Sequence, residues 1–375
     1  MIRAALEAGG TSIAALAAAY LAVAAAAMRR GARPRPPAAG LPAVTVLKPL
    51  CGVETATYDC LRSFCVQHHP RYQIVFGVQD PLDPVLEIVR RLQREFTDLP
   101  IDLVVDARQH GANRKVGNLI NMAAHARHDH LVIADSDIRV EPDYLEAVVA
   151  PLADAAVGVV TCAYRGAPQP GLPSLLGALF INDWFLPSVR VAAATGSREF
   201  AFGATIALRR DALAAIGGFE AVADHLADDY QLGELTRAIG LGTVLSDVVV
   251  ETVVNERDFV ELLRHDLRWL RTIRAVRPLG YALSGITFGV PVAAAGAALA
   301  GGAPAALAML GLAAVARFVL HLAARRPGEP WFTWLALPLG DALGFALWCW
   351  GFAARSVRWR QDRYLLTSDD SVTRL

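Results

Sequence analysis

Asp135 and Asp137 stand two positions apart at the end of an apolar run, in the stretch 130–142 (HLVIADSDIRVEP). Residues 131–134 have the composition of a buried strand, and Ile138 and Val140 resume an alternation before Pro142 stops it. In an extended segment residues i and i+2 point the same way, so both carboxylates can face one site while Ser136 turns aside. Two like charges that close repel unless a cation lies between them, and hard oxygen ligands suit Mg²⁺ or Mn²⁺. Two readings follow: a metal bridge to a diphosphate, or a polar turn that closes the strand. A further acid, Asp80, ends the apolar strand 72–78, and Asp228-Asp229 opens a helix that continues over 231–239. Repulsion from Asp228 would raise the Asp229 pKa toward a useful base, while the helix N-terminus would lower it; an ordinary N-cap is the alternative. Only two of the 36 basic residues are lysine, Lys48 and Lys115. An ammonium among guanidinium groups points to a phosphate ligand at Lys115, whereas Lys48 reads more simply as a surface lysine.

These residues need a frame. Strands are expected at 43–47, 72–78, 101–105 and 158–162, with helices at 58–67, 84–96 and 143–152 and a glycine- and asparagine-rich segment at 110–121. Strands alternating with helical patterns predict an α/β fold with a mostly parallel sheet and ligands at the carboxyl ends of its strands. Phe202-Gly203-Ala204-Thr205 leads into another strand. Residues 258–276 form a basic helix that includes His265, Arg268 and Trp269; Arg268 and Trp269 could meet phosphate and a sugar or lipid face, or the helix could rest on anionic headgroups.

Hydrophobic residues make up 54% of the chain and charged ones only 19%, with the excess at the two ends, so transmembrane helices flank the soluble part. The layout is an anchor at 1–28, a linker at 29–42, a cytoplasmic domain at 43–255, the basic helix at 256–278, about three spans within 279–354, and a tail at 355–375. Arg29, Arg30, Arg33 and Arg35 place the domain in the cytoplasm by the positive-inside rule. Three C-terminal spans would leave Arg355, Arg358, Arg360 and Arg363 outside, against that same rule. Residues 172–194 are apolar and aromatic but interrupted by Asn182, Asp183, Pro187 and Arg190, a poor span that fits an interfacial helix or packing inside the domain. Acids and bases balance at 36 each, with no pull toward nucleic acid, and the five cysteines show no zinc spacing and read as reduced thiols.

Lys48-Pro49-Leu50-x-Gly52, Val78-Gln79-Asp80, the DSD, the ADDY at 227–230 and Arg268-Trp269, in that order, resemble the ceramide glucosyltransferase-like membrane glycosyltransferases. Within these, RSFCVQ, FGVQDPLDP and HGANRKVGNLIN are most similar to the bacterial hopanoid-biosynthesis-associated glycosyltransferase. The resemblance covers about 44–269. It implies a nucleotide-diphospho-sugar glycosyltransferase fold, GT-A-like, in a bacterial inner membrane, and direct, inverting transfer of glucose or N-acetylglucosamine from a UDP-sugar to a hopanoid or ceramide-type lipid. Asp229 would be the base, with Arg268 and Trp269 closing the site. Lys48, Asp80, Lys115, Asp135 and Asp137 would hold the donor, the last two through the metal. Gly203, Ala204, Thr205, Asp228 and His265 would face the acceptor. His265 departs from the Gln or Arg usual there. A processive polysaccharide synthase of the same fold and a non-catalytic membrane scaffold are the competing readings.

Overall fold

The computed structural model describes residues 1–29, 40–326, 328–353, 356–359, 362–366 and 372–374. Most of the expected 29–42 linker, and Arg355 and Arg360 of the tail, lie outside them. In chain order the α-helices are α1 (Ile2–Met28), α2 (Thr57–Cys65), α3 (Val85–Glu95), α4 (Arg114–Ala123), α5 (Tyr144–Val149), α6 (Leu172–Phe180), α7 (Leu186–Ala194), α8 (Arg210–Ala215), α9 (Asp228–Ala238), α10 (Phe259–Val276), α11 (Pro278–Leu283), α12 (Gly289–Leu299), α13 (Pro304–Ala324) and α14 (Leu337–Gly351). The strands of the main sheet are β1 (Val44–Leu50), β2 (Tyr72–Val78), β3 (Ile101–Val105), β4 (His130–Ile133), β5 (Ile138–Arg139), β6 (Val157–Pro168), β7 (Ile206–Arg209) and β8 (Gly242–Val254).

The chain divides into two compact units. One contains the sheet and comprises Ala32–Ala167, Ser197–Asn255 and Tyr364–Leu375. Its strand order is β3-β2-β1-β4-β7-β6-β8-β5. β1 pairs in parallel with both β2 and β4, and β2 with β3. Beyond β4 the pairing reverses, β4 with β7, β7 with β6 and β5 with β8 all being antiparallel. The expectation of a mostly parallel sheet is therefore corrected to a mixed one. The chain leaves β6 at Pro168, runs through α6 and α7, and comes back through a turn at Phe202–Thr205 into β7, which runs antiparallel to both β4 and β6.

Alternation along the inner strands explains why both faces are covered. Val46, Ile74 and Val132 join one core with Leu61, Phe64 and Val89 of α2 and α3. Their neighbours Leu47, Val75, Leu131 and Ile133 join a second with Val116 and Leu119 of α4. β4 stops at Ile133, and the chain crosses to pair as β5 with β8, Ile138 opposite Thr252. Asp135 and Asp137 lie in that crossing.

The other unit comprises Met1–Gly31, Pro168–Gly196 and Glu256–Arg363. Residues 168–196, expected inside the 43–255 domain, cluster here. α1 lies antiparallel to α12, because the space beside Gly10 is filled by Gly296 and Ala300 and that beside Gly289 by Leu21. α12 turns into α13 through Gly301 and Gly302, whose φ of 62° and 74° glycine adopts without a side-chain clash, and Pro304 opens the next helix. Among the described residues four helices are long and apolar enough to cross a membrane: 2–28, 172–194, 304–324 and 331–351. Residues 172–194 pass that test by length and composition, and within them a π-helical turn at Ile181–Phe185 carries Asn182 and Asp183, both buried inside the unit. Conversely, the first expected C-terminal span is not straight, since 278–287 and 289–299 meet at 78°. The end of α14 packs beside α11, Gly351 against Tyr281, and Arg271 of α10 donates to the Ser356 carbonyl at 2.8 Å.

Candidate active site

The segment 134–138 is not extended. Ser136 and Asp137 form a turn in which the Ile138 N–H donates to the Asp135 carbonyl at 3.3 Å, so the i, i+2 argument for a shared direction does not apply. The two carboxylates still lie close enough to interact. Burial first, and the charge of Asp135 second, push the Asp137 carboxyl up; Thr252 Oγ1 donates to its Oδ2 at 2.6 Å.

Lys48 is no surface lysine. It is fully buried, its ammonium 3.9 Å from the centre of the Phe64 ring and donating to the Asp135 carbonyl at 2.6 Å. Burial pushes its pKa down to about 8 against the pull of neighbouring acids. It ties β1 to the turn that carries both acids.

Lys115 rises from the first turn of α4, whose start is fixed by Asn113: the amide oxygen accepts from Lys115 N–H at 3.0 Å and Val116 N–H at 3.2 Å. The ammonium lies 2.8 Å from Asp135 Oδ1 and 3.1 Å from Asp228 Oδ2. Burial alone would lower its pKa, but Asp135, Asp228 and Asp229 hold it well above the ordinary lysine range. Asn113 also donates to Asp228 Oδ1 at 3.3 Å. Sequence reasoning passed over Asn113, although an Asn at the entry of a helix, two residues before an isolated lysine, is a readable capping signal.

Asp229 is not an N-cap. α9 begins at Asp228 with Ala227 at the cap, so both acids sit in its first turn. The Asp229 carboxylate accepts from Gly203 N–H at 2.6 Å and Tyr230 N–H at 2.8 Å. Burial pushes its pKa up to about 6, with Asp228 adding to the rise and Lys115 and the Tyr230 N–H opposing it. Gly203 closes the group: a Cβ there would lie 3.0 Å from Asp135 Oδ2, 3.3 Å from Asp229 Oδ2 and 3.3 Å from Lys115 Nζ. Five candidates, Lys115, Asp135, Gly203, Asp228 and Asp229, thus converge from four separate segments, with Lys48 and Asp137 beneath and beside them.

Asp80 is exposed at the end of β2 and accepts from Leu82 N–H at 2.9 Å; among the described residues no hydrogen bond or ion pair joins it to the cluster. Ala204 is buried, and so is Thr205, whose hydroxyl shares a 2.9 Å hydrogen bond with the Tyr144 hydroxyl and lies against the Ala204 carbonyl. In the helical unit, His265 pairs with Glu256 at 2.6 Å. The Trp269 ring packs on Phe185, Phe180 and Trp184 with centroids 5.1, 5.8 and 6.3 Å away. Asp266 beside them is buried, and burial pushes its carboxyl up to about 7.

Among the described residues no three His, Cys, Asp or Glu side chains gather to hold a metal alone. Mg²⁺ and its relatives are ordinarily held by one or two carboxylates together with phosphate oxygens and water. Asp135 and Asp137, two close carboxylates at the mouth of a strand, fit that mode.

Ceramide glucosyltransferase 1 of Caenorhabditis elegans is 24% identical over 207 residues, covering 55% of this chain and 44% of that protein. A ceramide glucosyltransferase of Candida albicans is 30% identical over 107 residues, covering 25% and 20%. The chain spans about half the length of the curated relatives it matches first. The mannosyltransferase PcManGT from Pyrobaculum calidifontis, solved with GDP-Man and Mn²⁺, has a TM-score of 0.56 at 23% identity and covers 92% of this chain and 99% of that one, a likeness of fold. The model of glycosyl transferase family 21 matches residues 10–372, and the chain belongs to that family.

Proposed function

We propose that the chain transfers a sugar, glucose or N-acetylglucosamine, from a UDP-sugar to the hydroxyl of a membrane lipid of ceramide or hopanoid type, with inversion. The observation that carries this reading is the convergence of Lys115, Asp135, Asp228 and Asp229 on the side-chain-free face of Gly203. Asp229, a carboxylate whose proton affinity is raised by burial, takes the proton of the acceptor hydroxyl. Asp135 and Asp137 would hold Mg²⁺ or Mn²⁺, and a bound cation supplies charge neutralisation on the departing diphosphate. Lys115 adds a fixed positive charge on the same side, and Lys48 holds the turn in place from below. The relatives named as ceramide glucosyltransferases support a lipid acceptor, and the GT-A type of fold is the one this strand-end arrangement favours.

The full chain in detergent, given a UDP-sugar, Mn²⁺ and a hydroxylated lipid, is expected to yield a monoglycosylated lipid seen by mass spectrometry. A long glycan instead would make it a polymer synthase; neither donor binding nor turnover would leave only a scaffold. Gly203→Ala sets a methyl against Asp135 and Asp229 at distances tighter than ordinary contact, and transfer is expected to fall by about 10²-fold through misplacement of the base.

For orientation we propose three crossings, α1, the bent pair 278–299 as one broken span, and α13, with the sheet unit in the cytoplasm and α14 packed beside α10 and α11 without crossing. This removes the conflict of the arginine-rich tail with the positive-inside rule, since the end of α14 packs on α11 and Ser356 meets Arg271. A green fluorescent protein fused after Leu375 in a bacterial host is expected to fluoresce, as it does in the cytoplasm; a dark fusion whose alkaline phosphatase counterpart is active would place the tail outside.

A further inference from the structure

Within the helical unit, apolar segments carry an ionisable network that the proposed chemistry does not use. Arg317 of α13 donates from Nε to both Asp341 oxygens at 3.0 Å and from Nη2 to Oδ1 at 2.8 Å; its Nη1 reaches Asp183 Oδ2 at 3.0 Å. His321 adds a 2.7 Å contact to the same Oδ2 and a 3.1 Å contact to Thr333. The Asp183 side chain is only 3% exposed, yet among the described residues its other oxygen, Oδ1, takes no hydrogen bond. Ionisable groups set in apolar helices are costly and usually mark a binding site or pathway.

Asp183 lines a cavity of about 30 Å³ together with Arg317 and Asp341. The opposite wall is aromatic: Phe180 stacks on Trp184 at 4.6 Å and Trp184 on Phe288 at 5.2 Å, with the indole N–H held by Thr287 at 2.6 Å. α14 comes this close only because Gly344 has no side chain; a Cβ there would lie 3.1 Å from Phe288 and 3.4 Å from Phe180.

We infer that this cavity is a binding site for the uncharged, hydroxyl-bearing head of a membrane lipid, the O–H donating to Asp183 Oδ1 and the adjoining carbons lying on the aromatic wall. The chemistry selects among headgroups. A phosphate would meet two carboxylates and an arginine whose fork is already committed to them. A hydroxyl brings the donor that the carboxylate lacks, and the volume suits a group the size of a single hydroxyl, with the carbons that follow left to the aromatic wall. The inference rests on the reading that the chain glycosylates a lipid, and names a site that holds a lipid hydroxyl other than the one whose proton Asp229 takes.

The test uses the full chain in phosphatidylcholine nanodiscs with a diazirine-bearing long-chain primary alcohol, compared with a diazirine-bearing phosphatidic acid. The alcohol is expected to label the aromatic wall. Labelling should fall about tenfold in Asp183→Asn, which removes the acceptor oxygen, and in Gly340→Leu, which fills the cavity from a position where a Cβ meets only Leu176 at 3.6 Å. UDP binding retained in both variants shows that they are folded. Equal labelling by phosphatidic acid, or unchanged labelling in both variants, overturns the site. If wall labelling follows this pattern but no sugar is ever transferred, the enzymatic reading fails and the lipid site stands; if Asp183→Asn transfers sugar with an unchanged KM for lipid, the site fails and the enzymatic reading stands.

Discussion

Asp229→Asn is expected to lower kcat for sugar transfer by about 10²–10⁴-fold while leaving UDP affinity within a few-fold of wild type. The amide keeps the size of the carboxylate and its oxygen can still accept from Gly203 N–H, while its NH2 then faces Tyr230 N–H, so retained UDP affinity is the check that the site has not moved. What is lost is a group able to take a proton. The same assignment fixes a pH dependence. A base works when deprotonated, and with a pKa of about 6 the rate rises as pH increases through that value. A cation on Asp135 pulls the limb lower, because positive charge favours the carboxylate. Asp228→Asn removes a like charge and is expected to move the acidic limb further down, read from kcat against pH. An acidic limb unchanged in Asp228→Asn, or full transfer by Asp229→Asn, would remove Asp229 as the base.

The second large effect belongs to Lys115. Its side chain is 16% exposed and the ammonium touches two carboxylates, so Lys115→Met leaves Asp135, Asp228 and Asp229 without their shared counter-charge. Breaking a buried pair from one side ordinarily costs about 3–5 kcal/mol. Both stability and transfer are therefore expected to fall, with the acidic limb of kcat moving up because Lys115 holds the Asp229 pKa down. Thermal denaturation and a pH–rate profile on one preparation measure the two together. A variant as stable as wild type, with an unshifted limb, would show that the three acids do not share one counter-charge.

How much of this was legible in the sequence follows from the range of each interaction. Strand 72–78 and strand 101–105 were readable to the residue because an apolar run bounded by turn formers is a local pattern. The antiparallel half of the sheet was not, since β7 is identified by its partners and not by its four residues. The acids at 135, 137, 228 and 229 were visible as residue types at element ends. That Lys115 would join 135 to 228 was not, because 93 residues separate the two acids and only the fold brings them together. Lys48 misled for the opposite reason: burial of a lysine under a carbonyl leaves no trace in its neighbours' identities. Thr205 did likewise, its hydroxyl being claimed by Tyr144, 61 residues away.

The π-helical turn at Ile181–Phe185 has a consequence for sequence divergence. It holds one residue more than a regular helix needs, so excising a single residue there would restore continuous α-geometry but rotate all of α7 by about 100° about its axis. Ser188 would swing away from Tyr20, which it now meets at 3.0 Å. A homologue shortened by one position in this segment must therefore have re-formed the seam between α7 and α1, and alignments that slide a gap through residues 181–185 will join side chains that occupy different faces.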